Sequence, residues 1–333
     1  MTRRRRAAVA LLALVLATGV YAAPRVKGVV EEAAAGTGFI AKGLCSGALM
    51  AGMEPQRLMD QEYAMGKDLV DWKVLPRPGE VETEALFGLA RARARRHPGL
   101  GCSLYHDGRP PVPLPEIPRP MPLGPDGTGH PWPIAPFARQ ALPVGVDRDA
   151  LAEVLDEAFS EPDPENPRRT RAVVVVYDGW VVAEGYADGV GPTTPLIGWS
   201  MTKSLTHALV GVAVGDGVLS LQDPLHAPEW GEEDPRRAIT LDQALRMSSG
   251  LEFKEAYDDF GSDVVRMLML SWDMAAVAAA QPLEAEAGTL WHYSSGTTNL
   301  ISRTLRAAVG DDDRYWRLPY ERIFSPLGMH STV

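Results

Sequence analysis

Cysteine is nearly absent from this chain. Its 333 residues hold two, Cys45 and Cys102. Two cysteines without histidines at matching spacing do not make a four-ligand zinc site. There are 7 histidines, and no two stand four residues apart, so the helical His pair of many metal-dependent hydrolases is missing as well. No metal and no cofactor is expected. Positive charge is also scarce: 33 Lys and Arg face 43 Asp and Glu, for a formal net charge of −10. An acidic chain is a poor partner for nucleic acid. No internal repeat is visible, which argues against a solenoid or propeller. The composition is otherwise that of a globular protein, 45% hydrophobic and 23% charged, with enough apolar material for a sizeable core.

The N-terminus stands apart. "MTRRRR" precedes the apolar run "AAVALLALVLATGVYAA", residues 7–23, and Val20-Tyr21-Ala22 offers small residues at cleavage spacing. Residues 1–23 are expected to be a secretory signal peptide. The run is also near the lower length limit for spanning, so membrane anchoring through residues 7–23 is the alternative. Either reading places the rest of the chain outside the cytoplasm, in the periplasm or beyond. No cysteine closes the run, as a lipoprotein would require, and the residues after the arginines do not support a twin-Arg signal. In an oxidising compartment Cys45 and Cys102 are expected to pair. The loop they close is long, worth about 4 kcal/mol in the chain-entropy model.

Four segments are expected: the leader, an N-terminal extension over 24–109, a Pro-rich linker over 110–145, and a domain from 146 to 333. Between Pro110 and Pro143 lie 12 of the 28 prolines, which excludes regular helix and central strand. Within the extension, "TEALFGLARARARRHPG", residues 83–99, reads as a helix stopped by His97-Pro98-Gly99, with "RARARR" as its solvated face. In the domain, residues 147–161 read as a helix with Leu151, Val154, Leu155 and Phe159 on one face. "RAVVVVY" reads as a buried strand, Asp178-Gly179 as a two-residue turn, and "WVVAEGY" as the returning strand. A helix with Met201, Leu205, Ala208, Leu209 and Val212 on one face follows, ended by Gly215-Asp216-Gly217. A second spans 239–251, with Thr240 at its N-cap. Further helical stretches fall near 262–280 and 297–309.

The chemistry is carried by "GWSMTKSL", residues 198–205, where Ser200 stands three residues before Lys203. On a helix these two point the same way. A serine at a helix start sits among free backbone N–H groups, which can hold a developing oxyanion. A nearby lysine can accept its proton or keep another base ionised. The plain alternative is a helix N-cap followed by a surface charge, and a Ser-x-x-Lys match alone does not separate the two.

Further stretches do. "GVLSLQDPL" at 217–225, "MSSGL" closing the 239–251 segment, "AGTLWHYSSGTTNLI" at 287–301 and "FSPLGMHST" near the end occur in this order after Ser200. Together they resemble the serine β-lactamase and penicillin-binding-protein superfamily, most closely its class C-like esterases, D-aminopeptidases and 6-aminohexanoate-dimer hydrolases. The resemblance runs from about residue 146 to 333. It implies an α+β fold of the β-lactamase/transpeptidase type, with an antiparallel sheet flanked by helices and a helical subdomain carrying Tyr293. It also implies Ser200 as nucleophile, Lys203 as its hydrogen-bonded partner, and Tyr293 as the group that deprotonates Ser200 and passes the proton to the leaving group. The reaction would be acyl transfer through an acyl-enzyme, then hydrolysis, with no metal.

Two departures qualify the resemblance. Ser295 stands where penicillin-recognising members usually carry an Asn that bonds the substrate amide. A shorter serine argues against β-lactams and for a small ester, amide or amino-acid oligomer. Second, the Lys-Thr-Gly or His-Thr-Gly motif is missing; "HST" at 330–332 belongs to the Pro-Leu-Gly-Met segment. The expectation is a domain lacking its C-terminal strands. Ser295 and Trp199 are the candidate substrate-binding residues. Trp199 and Trp291 suit either an apolar substrate wall or ordinary packing, His207 and His292 packing or surface roles, and Asp223 a loop brace.

Two competing readings remain. "GWSMT" faintly matches the nucleophile elbow of α/β-hydrolases, but its last Gly is absent and no strand–helix repeat surrounds it. A catalytically incomplete protein with a binding or cell-envelope role would account for the missing motif but not for the intact Ser200, Lys203 and Tyr293.

Overall fold

The computed structural model describes residues 23–105, 114, 117 and 144–333. The expected leader and nearly all of the Pro-rich linker lie outside the described residues. The described residues form two compact units, one within 1–116 and 196–315, the other within 117–195 and 316–333. The first unit thus joins the N-terminal extension to the segments that carry Ser200 and Tyr293.

In the first unit, helix α1 (Ala23–Leu44) continues into a π-helical turn, Cys45–Met50, and is followed by α2 (Pro55–Gln61). Strands β1 (Asp71–Leu75), β2 (Glu80–Ala85), β3 (Ala90–His97) and β4 (Gly101–Tyr105) form an antiparallel sheet in chain order. One face packs on α1. Val81, Ala85, Ala90 and Ala94 are buried with Ile40, Ala41 and Leu44, and the Thr83 hydroxyl donates to the Thr37 carbonyl at 3.0 Å. Cys45 and Cys102 form a disulfide across 57 positions, tying the end of α1 to β4.

This sheet overturns the helix expected at 83–99. Residues 90–95 read Ala-Arg-Ala-Arg-Ala-Arg, an alternation of period two rather than 3.6. The alanines turn toward α1. Arg91, Arg93 and Arg95 stand opposite Glu84, Glu82 and Glu80 across the β2–β3 ladder. Arg93 meets Glu82 at 2.9 Å, and the Arg95 Nε donates to Glu80 at 2.7 Å. Such cross-strand pairs stabilise a sheet by roughly 0.2–1 kcal/mol each. The strong helix propensity of Ala and Arg is outweighed by packing on α1.

The rest of this unit is helical: α4 (Met201–Gly215), α5 (Leu241–Leu245), α6 (Asp263–Leu270), α7 (Met274–Ala279) and α8 (Ser295–Val309). Thr240 caps α5, with Gln243 completing a capping box. That helix is shorter than the expected 239–251, because Met247 takes a positive φ of 56° and the chain then forms a bridge, Leu251 to Leu283. The expected 262–280 stretch is broken in two, since Asp273 caps a new helix at Ala276. α1 reaches this region too: Ala35 is buried in one cluster with Phe253, Val264, Val265, Met267 and Met269. Phe253 in turn lies so close to Gly296, at the start of α8, that a Cβ there would stand 2.5 Å from its ring.

The second unit holds α3 (Arg148–Phe159), capped by Asp147, and an antiparallel hairpin, β5 (Ala172–Tyr177) with β6 (Trp180–Tyr186). Asp178 and Gly179 take φ of 49° and 75°, as a type I′ turn requires. The strand expected to be buried is not: Val174, Val176 and Tyr177 are exposed. Among the described residues β5 pairs with β6 alone, and the buried residues of the hairpin, Val181 and Val182, lie on β6. The chain also holds α9 (Asp312–Pro319), followed by a π-helical turn, Tyr320–Phe324, in which Tyr320 and Phe324 pack edge to face.

Candidate active site

Ser200 stands at the N-cap of α4 but does not cap it; its side chain takes no backbone hydrogen bond. Instead its Oγ accepts from the Lys203 Nζ at 3.0 Å. The helical i, i+3 relation brings the two together as the spacing predicts. The plain N-cap reading is thereby disfavoured, because the hydroxyl is committed to the lysine and not to the helix.

The expectation of several free N–H groups at this helix start needs correction. The first turn is tight. The N–H groups of Met201, Thr202 and Lys203 donate to the carbonyls of Gly198, Trp199 and Ser200. Among the described residues the backbone N–H of Ser200 itself has no partner. A backbone N–H so placed can hold a developing oxyanion. Trp199, immediately before it, holds a φ of 43°, a strained conformation for a bulky residue and one that clusters at functional sites.

Lys203 has a second acceptor. Its Nζ donates to the Ser295 Oγ at 2.8 Å. Ser295 opens α8 and is buried; Ser294 before it caps the helix by accepting from the Thr297 N–H at 3.0 Å. The Ser295 hydroxyl donates to one oxygen of Glu255, and the Ser295 N–H donates to the other at 2.8 Å. Tyr257 also donates to Glu255, at 2.9 Å; burial, more than this carboxylate, pushes the Tyr257 phenol up. The site is therefore a hydrogen-bonded row: Ser200, Lys203, Ser295, Glu255. Glu255 was not singled out by the sequence. It lies 40 positions from Ser295, and no spacing rule connects them.

Tyr293 enters differently from its expected role. The Lys203 ammonium lies over its ring, 4.7 Å from the centroid. No hydrogen bond joins the Tyr293 hydroxyl to Ser200 or Lys203. Ser200, Lys203 and Tyr293 line a cleft of about 370 Å³, with Ser204 and His207 from α4, Met247 after α5, and Thr298 and Ile301 from α8. Ser295, expected to bind substrate, instead bridges Lys203 and Glu255. Trp199 is exposed and stacks on Phe39. Trp291 is exposed. His292 bonds Glu284. Asp223 braces its loop by accepting from the Ser220 N–H at 2.7 Å.

The model of the beta-lactamase family matches residues 155–333. The chain belongs to that family, a family of hydrolases, and its α+β architecture of antiparallel sheets and helices accords with it. Among solved structures, it is similar to a protein from Bacillus anthracis described as a 6-aminohexanoate-dimer hydrolase, at 21% identity and a TM-score of 0.40. The match covers 54% of this chain and 47% of that one, so this chain spans about half the length of that protein. No curated protein matches.

Proposed function

We propose that the chain is an exported serine hydrolase that cleaves a small ester or amide through an acyl-enzyme on Ser200. The observation that carries this reading is the Ser200 Oγ held by Lys203 at the mouth of a cleft, with the nucleophile's own N–H unengaged. A proton on Lys203 first leaves along Ser295 to Glu255. The neutral amine then takes the Ser200 proton as Ser200 attacks the carbonyl. The tetrahedral oxyanion is held by the N–H of Ser200. Collapse expels the alcohol or amine, which takes up the proton held by Lys203, and water then repeats the sequence to release the acid.

Lys203 is assigned as the acceptor because it touches the nucleophile. The alternative, a Tyr293 hydroxyl acting as the base, is favoured by the ring's place in the cleft against Lys203. Tyr293→Phe keeps the ring and removes the hydroxyl. If Lys203 is the base, this variant keeps most of its activity; a loss above about 100-fold assigns the base to Tyr293.

Export is supported by the sequence of the leader and by the Cys45–Cys102 disulfide, which suits an oxidising compartment. Among the described residues no helix is long and apolar enough to cross a membrane. The substrate partner is a small molecule. The ester p-nitrophenyl acetate tests the reading. Hydrolysis by the chain and its loss in Ser200→Ala support it, while no turnover favours the catalytically incomplete, binding alternative.

A further inference from the structure

The N-terminal extension lies outside the segment that matches the family, 155–333, yet it reaches Trp199, the residue before Ser200. After Ala35 settles into the core shared with Phe253 and Met267, α1 carries Phe39 out of that core. Phe39 is 37% exposed. Its ring stacks on the Trp199 indole with centroids 5.9 Å apart and planes 25° from parallel. Tyr63, just past α2, closes on Phe39 edge-on at 5.6 Å. A residue from the extension thus holds the side chain that immediately precedes Ser200.

Two features of Trp199 call for an explanation beyond packing. Its φ of 43° is strained, and it is 51% exposed. A stable core would bury an indole and relax its backbone. Trp199 directly precedes Ser200 in the chain, so the stack is fixed to the backbone that carries the nucleophile. Ile197 and Met201, on either side in the chain, are also exposed. The cleft along α4 is lined by hydroxyls, His207 and Lys203 as well as apolar groups; the Phe39–Trp199 stack adds an aromatic surface next to Ser200 in the chain.

We propose that Phe39 and Trp199 form an apolar subsite for an aryl or extended alkyl acyl group of the substrate, and that the N-terminal extension thereby sets acyl selectivity. The proposal rests on Ser200 being the nucleophile. The acyl group is the part of the substrate that stays joined to Ser200 through both steps, so a platform adjoining Ser200 acts on it throughout. Aromatic stacking adds to area burial and favours a flat group over an acetyl.

The test compares p-nitrophenyl phenylacetate with p-nitrophenyl acetate. In Phe39→Ala the ratio of their kcat/KM values falls about five- to ten-fold, the size of one lost aromatic contact. Phe39→Tyr restores it, and Val29→Ala, an exposed apolar change elsewhere on α1, leaves it unaltered. Equal losses on both esters would mean that the extension only braces the fold, and would overturn the proposal. A change in sedimentation of Phe39→Ala with no change in the ratio would mean that the stack is a contact between copies of the chain, and would overturn it too. A second arm needs no chemistry. In a Ser200→Ala background, phenylacetamide binding measured by calorimetry weakens about five- to ten-fold when Phe39→Ala is added; no change contradicts the subsite. The unsubstituted chain failing to hydrolyse either ester, with phenylacetamide binding still dependent on Phe39, would remove the Ser200 reading and leave the subsite.

Discussion

Two lysines in this molecule donate to serine hydroxyls. Lys42 meets Ser46 at 3.2 Å and Lys203 meets Ser200 at 3.0 Å. By residue type and distance the pairs are alike, and their surroundings divide them. Ser46 is 9% exposed, in the π-helical turn beside the Cys45–Cys102 disulfide, and burial holds Lys42 below the ordinary lysine value. Ser200 is exposed at an uncapped helix start, its own N–H is unengaged, and Lys203 has a second acceptor in Ser295, itself bound to Glu255. A serine beside a lysine is therefore not in itself a reactive pair. On the proposed reading, access for a substrate, a donor for the oxyanion and a second contact for the lysine make the difference.

The largest way to break that comparison is to exchange the two serines' roles. Ser200→Ala should lower ester hydrolysis by at least about 1,000-fold, while the same change at Ser46 leaves turnover in place. The thermal midpoint of Ser200→Ala should stay near that of the unsubstituted chain, since an exposed, non-capping hydroxyl contributes little to stability. Next comes Lys203→Met, expected to cost about 100- to 10,000-fold in kcat/KM, the usual span for a general base. Glu255→Gln comes third. It keeps an acceptor for Ser295 but removes the charge at the end of the row, and should slow turnover by roughly ten-fold. An unaltered rate would reduce Glu255 to a brace for α8.

The smallest effect concerns the buried pair and is read in stability. Burial depresses the Lys42 pKa in the folded state, whereas the unfolded chain carries an ordinary lysine near 10.4. Between those two values the unfolded state binds more protons, so stability rises with pH through that window and is flat on either side. Lys42→Met should remove that rise and leave esterase activity untouched. Urea midpoints on both sides of the window measure it. An identical pH dependence in the variant would mean that Lys42 is as well solvated as an exposed lysine.

How much of this was legible depended on where the partners lie. The hairpin was readable because Asp-Gly is the pair that tolerates two positive φ values, at Asp178 and Gly179, and its flanks are β-branched. The Ser200–Lys203 pair was readable because a helix brings i and i+3 together. β2 and β3 were missed because Ala, Leu, Glu and Arg favour helix, and only the packing of α1 on Ala90 and Ala94 decides for strand. Burial was misjudged at β5 for the opposite reason: a run of valines looks like a core strand, but a strand with one neighbour stays half in water. Glu255 and Phe39 could not be read at all. Their partners, Ser295 and Trp199, are distant in sequence, and neither position carries a pattern of its own.

The most direct measurement is intact mass followed by peptide mapping after treatment with a fluorophosphonate, on the chain, on Ser200→Ala and on Ser46→Ala. The account predicts a single adduct on the peptide containing Ser200, absent from the first variant and retained by the second. An adduct that survives Ser200→Ala, one that maps to Ser46, or no adduct at all would contradict it.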